Sequence, residues 1–354
     1  APVIWDKEIV ASGQGVQAVI VNSGIANACT GKQGYEYCKE TAVAAAKELA
    51  VPEDSVLVAS TGVIGMQLPM DKIVAGVSML AAAKADTPEA GDDAARAIMT
   101  TDTVSKQVAV TIEIDGKTVT VGGMCKGSGM IHPNMCTMLG FITTDAVITK
   151  EALTKALKED VVDTFNMISV DGDTSTNDTL LIMANGMAEN PEIKVDTPEY
   201  EEFKAALHYV NETLAKMMAG DGEGATALLE VKVTNADTKE NARTLSKSVV
   251  CSSLVKAMIY GHDANAGRIL CALGYSGVQF DPEKIDLYFE SKAGKIKIYE
   301  DGVSTGYDEE TATTILSEPE VTVVADMKMG TETATAWGCD LTYDYVKINA
   351  DYRS

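Results

Sequence analysis

Three segments of the sequence combine hydroxyl groups and glycines in a way that suits acyl transfer. The first places Thr61 and Gly62 where an apolar strand, Val56 to Ala59, runs into a turn. A threonine hydroxyl and a glycine amide on such a turn can direct two donors at one oxygen, which is the chemistry of an oxyanion hole. A strand that simply ends in a glycine turn explains the same residues. This segment therefore does not identify a site by itself.

The second segment runs from Lys126 to Phe141 and contains Gly127, Cys136 and Thr137. Its glycines lack the Walker spacing, and no helix-forming context follows, so nucleotide binding is a weak interpretation. Thr137 follows an irregular, proline-containing stretch and precedes an apolar strand. If the bond before Thr137 were cut, the new α-amine could act as the base for the adjacent hydroxyl. The segment thus offers a candidate nucleophile.

The third segment, residues 169–178, begins like a calcium-binding loop, with carboxylates at Asp171 and Asp173. However, Thr176 stands where such a loop needs glycine, and Ile182 stands where it needs glutamate. The pattern favours a tight turn whose Asp and Thr side chains bond their own backbone. We therefore predict no metal site.

Histidines and the remaining acidic residues add little on their own. His132, His208 and His262 are scattered, so the sequence predicts no Ser-His-Asp triad. His208 lies near a helical stripe and is expected at or near the surface. Glu223 lies between two glycines after a helical segment, and the local pattern alone indicates a solvated loop carboxylate.

The composition is that of an acidic, globular chain. Its 354 residues include 29 Lys and Arg against 52 Asp and Glu, giving a formal charge of −23, and 46% are hydrophobic. Such a chain can form one large or two modest domains. The negative balance repels phosphate backbones and anionic membrane surfaces. The longest uncharged apolar stretch, 74–83, is too short to cross a bilayer. We expect neither a nucleic-acid nor a membrane partner.

Seven cysteines form no CxxC pair, and their number is odd. This usage argues against a disulfide framework or a zinc cage and favours a reducing, cytoplasmic setting. The amino end has neither a methionine nor the pattern of a secretory signal. We expect that the chain begins inside a longer gene product.

The elements that must position the three segments alternate between helical and strand patterns. Residues 108–114 and 119–121 alternate around Asp115-Gly116 and predict a hairpin. Together the patterns indicate sheets layered with helices rather than a doubly wound parallel fold, with a smaller α/β domain over about 238–335. Helical spacing of apolar residues covers 35–49, 73–81, 153–165, 203–217 and 245–258, with a further short helix ending near Gly274 and strands at 285–289, 296–298 and 321–325.

Taken in order, the segments resemble the ornithine acetyltransferase family, the glutamate N-acetyltransferases of arginine biosynthesis. So many separate motifs in one order are far more specific than any lone glycine pattern. The matching motifs, spread from Ala1 to Ser354, are VNSGIANACTG, LVASTGVIG, AIMTTDT, KGSGMIHPNMCTMLGFITTDA, SVDGDTSTND, GEGAT and AWGCDLTYDYVKINADYRS.

The resemblance implies a precursor that cleaves itself between Cys136 and Thr137, giving an α chain of residues 1–136 and a β chain of residues 137–354. The Thr137 hydroxyl would attack the acetyl group of N-acetylornithine, with its own α-amine as base, and glutamate would then take the acetyl group from the acetyl-threonine. Thr61 and the Gly62 amide would stabilise the oxyanion. The positions that match the family's substrate contacts are Thr100, Lys126, Thr137, Glu223, Asn349 and Ser354.

The resemblance also implies a layered α/β fold like that of the N-terminal-nucleophile hydrolases but differently connected, and an α2β2 assembly of the cleaved chains. It implies no metal and no cofactor, with acetyl-CoA as a co-substrate in members that acetylate glutamate directly. Two alternatives stay open at this point. The chain could be a related aminopeptidase or amidase that uses water as acceptor, or an unprocessed, inactive chain.

Overall fold

Helices and strands alternate along the chain in the computed structural model, which describes residues 1–132 and 138–351. The helices are α1 Pro2–Ser12, α2 Gly31–Leu49, α3 Met70–Ala83, α4 Pro88–Ala97, α5 Lys150–Asp160, α6 Pro198–Gly220, α7 Lys239–Val250, α8 Ser253–Tyr260, α9 Gly267–Gly274, α10 Glu309–Leu316 and α11 Tyr343–Asp351. The strands are β1 Ala18–Asn22, β2 Val56–Ser60, β3 Lys106–Ile114, β4 Lys117–Lys126, β5 Leu139–Thr144, β6 Ile168–Ser169, β7 Thr179–Ala184, β8 Leu228–Ala236, β9 Asp286–Ser291, β10 Gly294–Glu300, β11 Val303–Ser304, β12 Glu320–Asp326 and β13 Glu332–Cys339. The mixed α/β class predicted from the sequence is confirmed.

The described strands form three sheets. A parallel pair joins β1 and β2, a four-stranded sheet has the order β3-β4-β5-β7, and a seven-stranded sheet has the order β11-β10-β9-β12-β8-β13-β6. Both larger sheets mix parallel and antiparallel neighbours. The hairpin predicted around Asp115-Gly116 is confirmed as β3 and β4, and both turn residues have positive φ, as the tight hairpin turn requires.

Helix α6 lies between the two larger sheets, since it contacts β3 and β4 as well as β8 and β13. Thr197 begins it by accepting a hydrogen bond from the Tyr200 amide, with Pro198 in the first turn. Helix α7 covers the opposite face of the seven-stranded sheet. Successive residues of β13 face opposite sides of the sheet. Gly338 approaches Val250 of α7, whereas the preceding residue, Trp337, lies beneath Lys216 of α6.

Two helix predictions were wrong in extent. The pattern over 245–258 predicted one helix, but α7 ends at Val250, and Ser252 begins α8 by accepting a hydrogen bond from the Val255 amide. The pattern over 153–165 overran α5, which ends at Asp160, and Phe165 lies in a short 3-10 turn. In both cases apolar spacing continued through a break because Met258 and Phe165, beyond the breaks, enter the same hydrophobic core, whereas Leu254 is exposed.

The predicted smaller domain, about 238–335, remains a prediction. Its strands β9 to β12 lie in the same sheet as β8, which precedes that range, and β12 pairs directly with β8. Within the described ranges, no helix has the length and apolar character needed to cross a membrane.

Helix α1 closes the outer edge of the β1–β2 pair, which supports Thr61. The Trp5 indole donates to the Val56 carbonyl at 3.0 Å, and the Val58 amide donates to the Asp6 carboxylate at 2.9 Å. These contacts satisfy edge groups of β2 that no neighbouring strand reaches. Burial raises the pKa of Asp6 to about 7, opposed by the Val58 amide. Strand β2 is thus held on both sides where it leads into the predicted oxyanion residues.

Candidate active site

Thr61 and Gly62 lie just beyond the end of β2, where the loops after β1 and β2 continue side by side. The Thr61 amide donates to the Asn22 carbonyl at 3.1 Å, and the Val63 amide donates to the Gly24 carbonyl at 3.0 Å. Gly62 has φ +125°, and a Cβ there would lie 2.2 Å from the Gly24 carbonyl carbon. Only glycine fits this backbone, because both the φ value and the close approach exclude a side chain.

This loop leaves two donors available. No described residue accepts a hydrogen bond from the Gly62 amide or from the Thr61 hydroxyl. The Thr61 oxygen instead accepts from Lys126 Nζ at 3.4 Å, and Thr61 is buried. A buried hydroxyl and an amide on adjacent residues, both without acceptors among the described residues, match the donor arrangement of an oxyanion hole.

Lys126 is the last residue of β4, and the residue is 5% exposed. Its ammonium lies 3.9 Å from the Asp102 carboxylate, and the residue pairs with Leu139 on β5. Burial lowers the pKa of Lys126, although Asp102 and then Glu223 oppose this by favouring the charged form. The structure therefore brings Lys126 to Thr61 and into electrostatic range of Glu223.

A buried ion-pair cluster of Asp102, Lys106 and Asp221 lies behind Lys126. Lys106 Nζ contacts Asp102 at 2.7 Å and Asp221 at 2.6 Å, and the Lys106 side chain has no exposed surface. Burial alone raises the pKa of Asp102, but Lys126 and Lys106 together bring it below its usual range. Asp102 also accepts from the Gly127 amide at 2.6 Å. The cluster joins three separate segments of chain around the site.

Thr100 reaches the site only through this cluster. Its amide donates to the Asp102 carboxylate at 3.1 Å, and the residue itself is exposed. No described contact joins its side chain to Lys126 or Thr61. The structure therefore places Thr100 at the edge of the site, on the segment that Asp102 anchors.

Glu223 is buried, so the expectation of a solvated loop carboxylate was wrong. Its amide donates to the Ser128 carbonyl at 3.0 Å, and its carboxylate accepts from the Asn349 side chain at 2.7 Å. It also packs on Gly129, where a Cβ would lie 2.3 Å from the carboxyl carbon of Glu223. Helix α11, which carries Asn349, covers this loop. Two residues that the resemblance assigned to substrate binding thus contact each other directly.

Three predicted site residues, Cys136, Thr137 and Ser354, lie outside the described residues. The chain is described again from Met138, whose carbonyl accepts from the Thr179 amide at 2.8 Å. The next residue, Leu139, pairs with Lys126. The segment that follows the predicted cleavage point therefore lies against Lys126 and the start of β7.

The third sequence segment forms the turn that was predicted, and it also contributes to the site. The Asp173 amide donates to Asp171 at 3.2 Å, as expected of a turn bonding its own backbone. Asp171 in addition accepts from the amides of Met130 and Ile131, at 2.6 and 3.0 Å. At the end of the turn, Asp178 is buried near Lys126, a position that the local pattern did not indicate.

The histidines lie outside the group formed by Thr61, Lys126 and Glu223. His208 is half exposed and contacts Asp160 and Glu212 on the surface, as expected. His132 Nδ1 lies 3.1 Å from the Ser169 hydroxyl and 3.5 Å from the Cys251 thiol. Burial, followed by Lys247, lowers the pKa of His132. No acidic residue completes a triad with His132 and Ser169 among their described hydrogen bonds.

Replacing Lys106 with methionine should destabilise the protein by about 3–5 kcal/mol, because it leaves Asp102 and Asp221 buried without their shared cation. Equilibrium urea unfolding of the intact protein measures this. Lys117→Met on the same hairpin is the control, since the exposed Lys117 lies 3.9 Å from an exposed Glu189 and should cost under about 1 kcal/mol. Equal losses in the two variants would contradict a role for the cluster in holding the site together.

Comparisons with the sequences of known proteins agree along the whole length of the chain. The sequence model described as the ArgJ family matches residues 1–354. The arginine biosynthesis bifunctional protein ArgJ of Caldanaerobacter subterraneus subsp. tengcongensis is 53% identical over 354 residues, covering 100% of this chain and 87% of the relative. The protein of the same name from Thermotoga neapolitana is 52% identical over 355 residues, covering 100% and 89%. A crystal structure of arginine biosynthesis bifunctional protein argJ from Bacillus halodurans is 47% identical, with a TM-score of 0.57, and the match covers 60% of this chain and 98% of that one.

Proposed function

The chain belongs to the ArgJ family and is an acyltransferase of arginine biosynthesis, and from this we propose that it moves the acetyl group of N-acetylornithine to glutamate through an acetylated Thr137. The observation that carries the proposal is the pairing of Thr61 and Gly62, two adjacent donors of which the Thr61 hydroxyl lies 3.4 Å from Lys126 Nζ. Such a group stabilises the charge that develops on an acyl oxygen during transfer.

The reaction proceeds in two balanced steps. The Thr137 hydroxyl attacks the acetyl carbonyl, its proton passes by way of the α-amine to the departing nitrogen, and ornithine leaves. The amine of glutamate then attacks the acetyl-threonine ester, and the proton returns to the threonine oxygen. In both steps the carbonyl oxygen bears negative charge opposite Thr61 and Gly62. No cofactor takes part, and we propose acetyl-CoA as an alternative acetyl donor.

Charges at the site suit an amino-acid substrate. Lys126 offers a buried cation and Glu223 a buried carboxylate. The loop after Lys126 turns through Gly127 and Gly129 and meets Glu223 at the Ser128 carbonyl. An amino acid carries both charges, so it can pair with both groups and avoid an uncompensated buried charge. Thr100, Asn349 and Ser354 complete the proposed substrate contacts.

We further propose self-cleavage between Cys136 and Thr137 by the same hydroxyl, giving chains 1–136 and 137–354 that stay together as an α2β2 heterotetramer. Strand β4 precedes the proposed cut, and β5 follows it. Their pairing in one sheet supports an assembly that survives cleavage, since the two products share backbone hydrogen bonds.

The packing of α6 between two sheets supports a layered fold like that of the N-terminal-nucleophile hydrolases. Because the described cysteines are all free thiols, we propose that the protein works in the reducing cytoplasm.

Intact-mass analysis with product assays tests the proposal. We expect two polypeptides in the purified protein, and an acetyl adduct on the 137–354 chain after mixing with N-acetylornithine alone. Adding glutamate should discharge the adduct and yield N-acetylglutamate with little free acetate. Acetate release that outpaces N-acetylglutamate formation at millimolar glutamate would instead identify an aminopeptidase or amidase. A single inactive polypeptide would identify an unprocessed chain.

A further inference from the structure

Asp178 is a buried acid in the candidate site that the proposed reaction has not used. Both of its carboxylate oxygens are buried, and neither has a hydrogen-bond partner among the described residues. Leaving an ionised carboxylate in this state is costly, because nothing replaces the water that it loses. Such an acid is either protonated and neutral, or it is paired with a cationic group of the substrate once the substrate binds.

The residues on each side of Asp178 fix it between the main parts of the site. Asn177 donates to the Ser60 carbonyl, directly before Thr61. The Thr179 amide donates to the Met138 carbonyl at 2.8 Å. Asp178 is therefore held between the oxyanion loop and the first described residue after the proposed nucleophile, and Lys126 is the cation that acts on it.

We propose that Asp178 is the group that holds a proton for the two amines exchanged during acetyl transfer, an inference that rests on the proposed function. In the first step the nitrogen of ornithine receives the threonine proton by way of the α-amine and a second proton from the Asp178 carboxylic acid as the C–N bond breaks, so ornithine leaves as an ammonium ion. In the second step glutamate arrives as an ammonium ion, returns a proton to the Asp178 carboxylate, and attacks as the free amine. Asp178 gives one proton to ornithine and receives one from glutamate in each cycle, so the overall reaction is balanced.

The electrostatics of the position suit this role. Burial raises the pKa of Asp178 to about 8, opposed by the nearby Met138 backbone, which makes no full hydrogen bond to the carboxylate, and by the charge of Lys126. An acid of that pKa exchanges protons readily near neutral pH. The charged groups that act on Lys126 in turn are Asp102, Lys106 and Glu223. Asp178 thus differs from Asp102 of the ion-pair cluster, whose pKa Lys126 and Lys106 bring below its usual range.

The two half-reactions should depend on pH in opposite senses. Formation of the acetyl-enzyme needs the acid, so its rate should fall as the pH rises through about 8. Discharge by glutamate needs the carboxylate, so that rate should fall as the pH drops below the same region. The α-amine of Thr137 must be neutral in both steps, which lowers both rates at low pH. The fall of the first half-reaction at high pH therefore reports on Asp178.

Asp178→Asn keeps the shape of the side chain but cannot exchange a proton. We expect the rate of acetyl-enzyme formation, measured by rapid-quench mass analysis with N-acetylornithine, to drop about 10²-fold or more. Its high-pH limb, meaning the fall of this rate above about pH 8, should also disappear. Asp178→Glu should restore part of the rate together with a limb at a shifted pH, which a purely structural role would not do. Asp173→Asn, an exposed carboxylate in the same turn, is the matched control and should behave as wild type.

Several outcomes would overturn the inference. One is a wild-type acylation rate without a high-pH limb, a result that needs no variant. Another is an Asp178→Asn protein that keeps the wild-type limb. If Asp178→Asn does not fold, the Asp178→Glu variant decides, because a longer acid should shift the limb, and an unmoved limb overturns the inference. Failure of the proposed function is distinct, since the wild-type protein would then form no acetyl adduct at all.

Discussion

Replacing Thr137 with alanine is expected to abolish both chain cleavage and acetyl transfer. The same hydroxyl serves as nucleophile in both reactions, and nothing else on the 137–354 chain would present a hydroxyl beside a new α-amine. Removing a nucleophile of this kind lowers turnover by about 10⁴-fold or more in other acyl-transfer enzymes. Gel electrophoresis under denaturing conditions should show one uncut polypeptide, and the product assay should show no N-acetylglutamate above background.

Two further variants separate the hydroxyl from the rest of the side chain. Thr137→Ser keeps the nucleophile and should retain part of both activities. Thr143→Ala removes a threonine from an exposed position on β5 and should be cut and active as wild type. An uncut Thr137→Ala protein that still turned over, or a fully active wild-type protein consisting of one polypeptide, would refute the assignment.

Features that depend on neighbouring residues could be predicted from the sequence. The β3–β4 hairpin follows from a two-residue period and an Asp-Gly turn, both of which act within a few residues. The break between α7 and α8 could not be predicted from periodicity, because apolar residues continue at helical spacing on both sides of Ser252. Only the capping hydrogen bond from Val255 to Ser252 marks the new helix.

Burial at the site depends on residues far apart in the chain. Glu223 looks solvated in its local sequence, but Asn349, 126 residues later, reaches it from α11. Lys106 lies at the start of an alternating strand, and its partner Asp221 follows 115 residues later. Local patterns carry no information about such pairs. The family resemblance supplied the site residues, whereas the ion-pair cluster and the unpartnered Asp178 needed coordinates.

Replacing Thr61 with valine is expected to lower kcat by about 10²–10³-fold and to change KM little. Valine keeps the shape of threonine and removes a donor that acts mainly on the charge developing during the reaction. Lys126 loses one contact but keeps the nearby Asp102, so its position should hold. Steady-state kinetics with N-acetylornithine and glutamate measure the effect.

Thr61→Ser is the matched control for that variant. Serine keeps the hydroxyl and removes only the methyl group, so most of the turnover should survive. Equal losses in Thr61→Ser and Thr61→Val would mean that packing of the methyl group, rather than the hydroxyl, supports the reaction. A rise in KM with unchanged kcat in Thr61→Val would place the hydroxyl on the bound substrate instead. The Gly62 amide remains in both variants. The residual turnover of Thr61→Val therefore measures how far this amide alone stabilises the oxyanion.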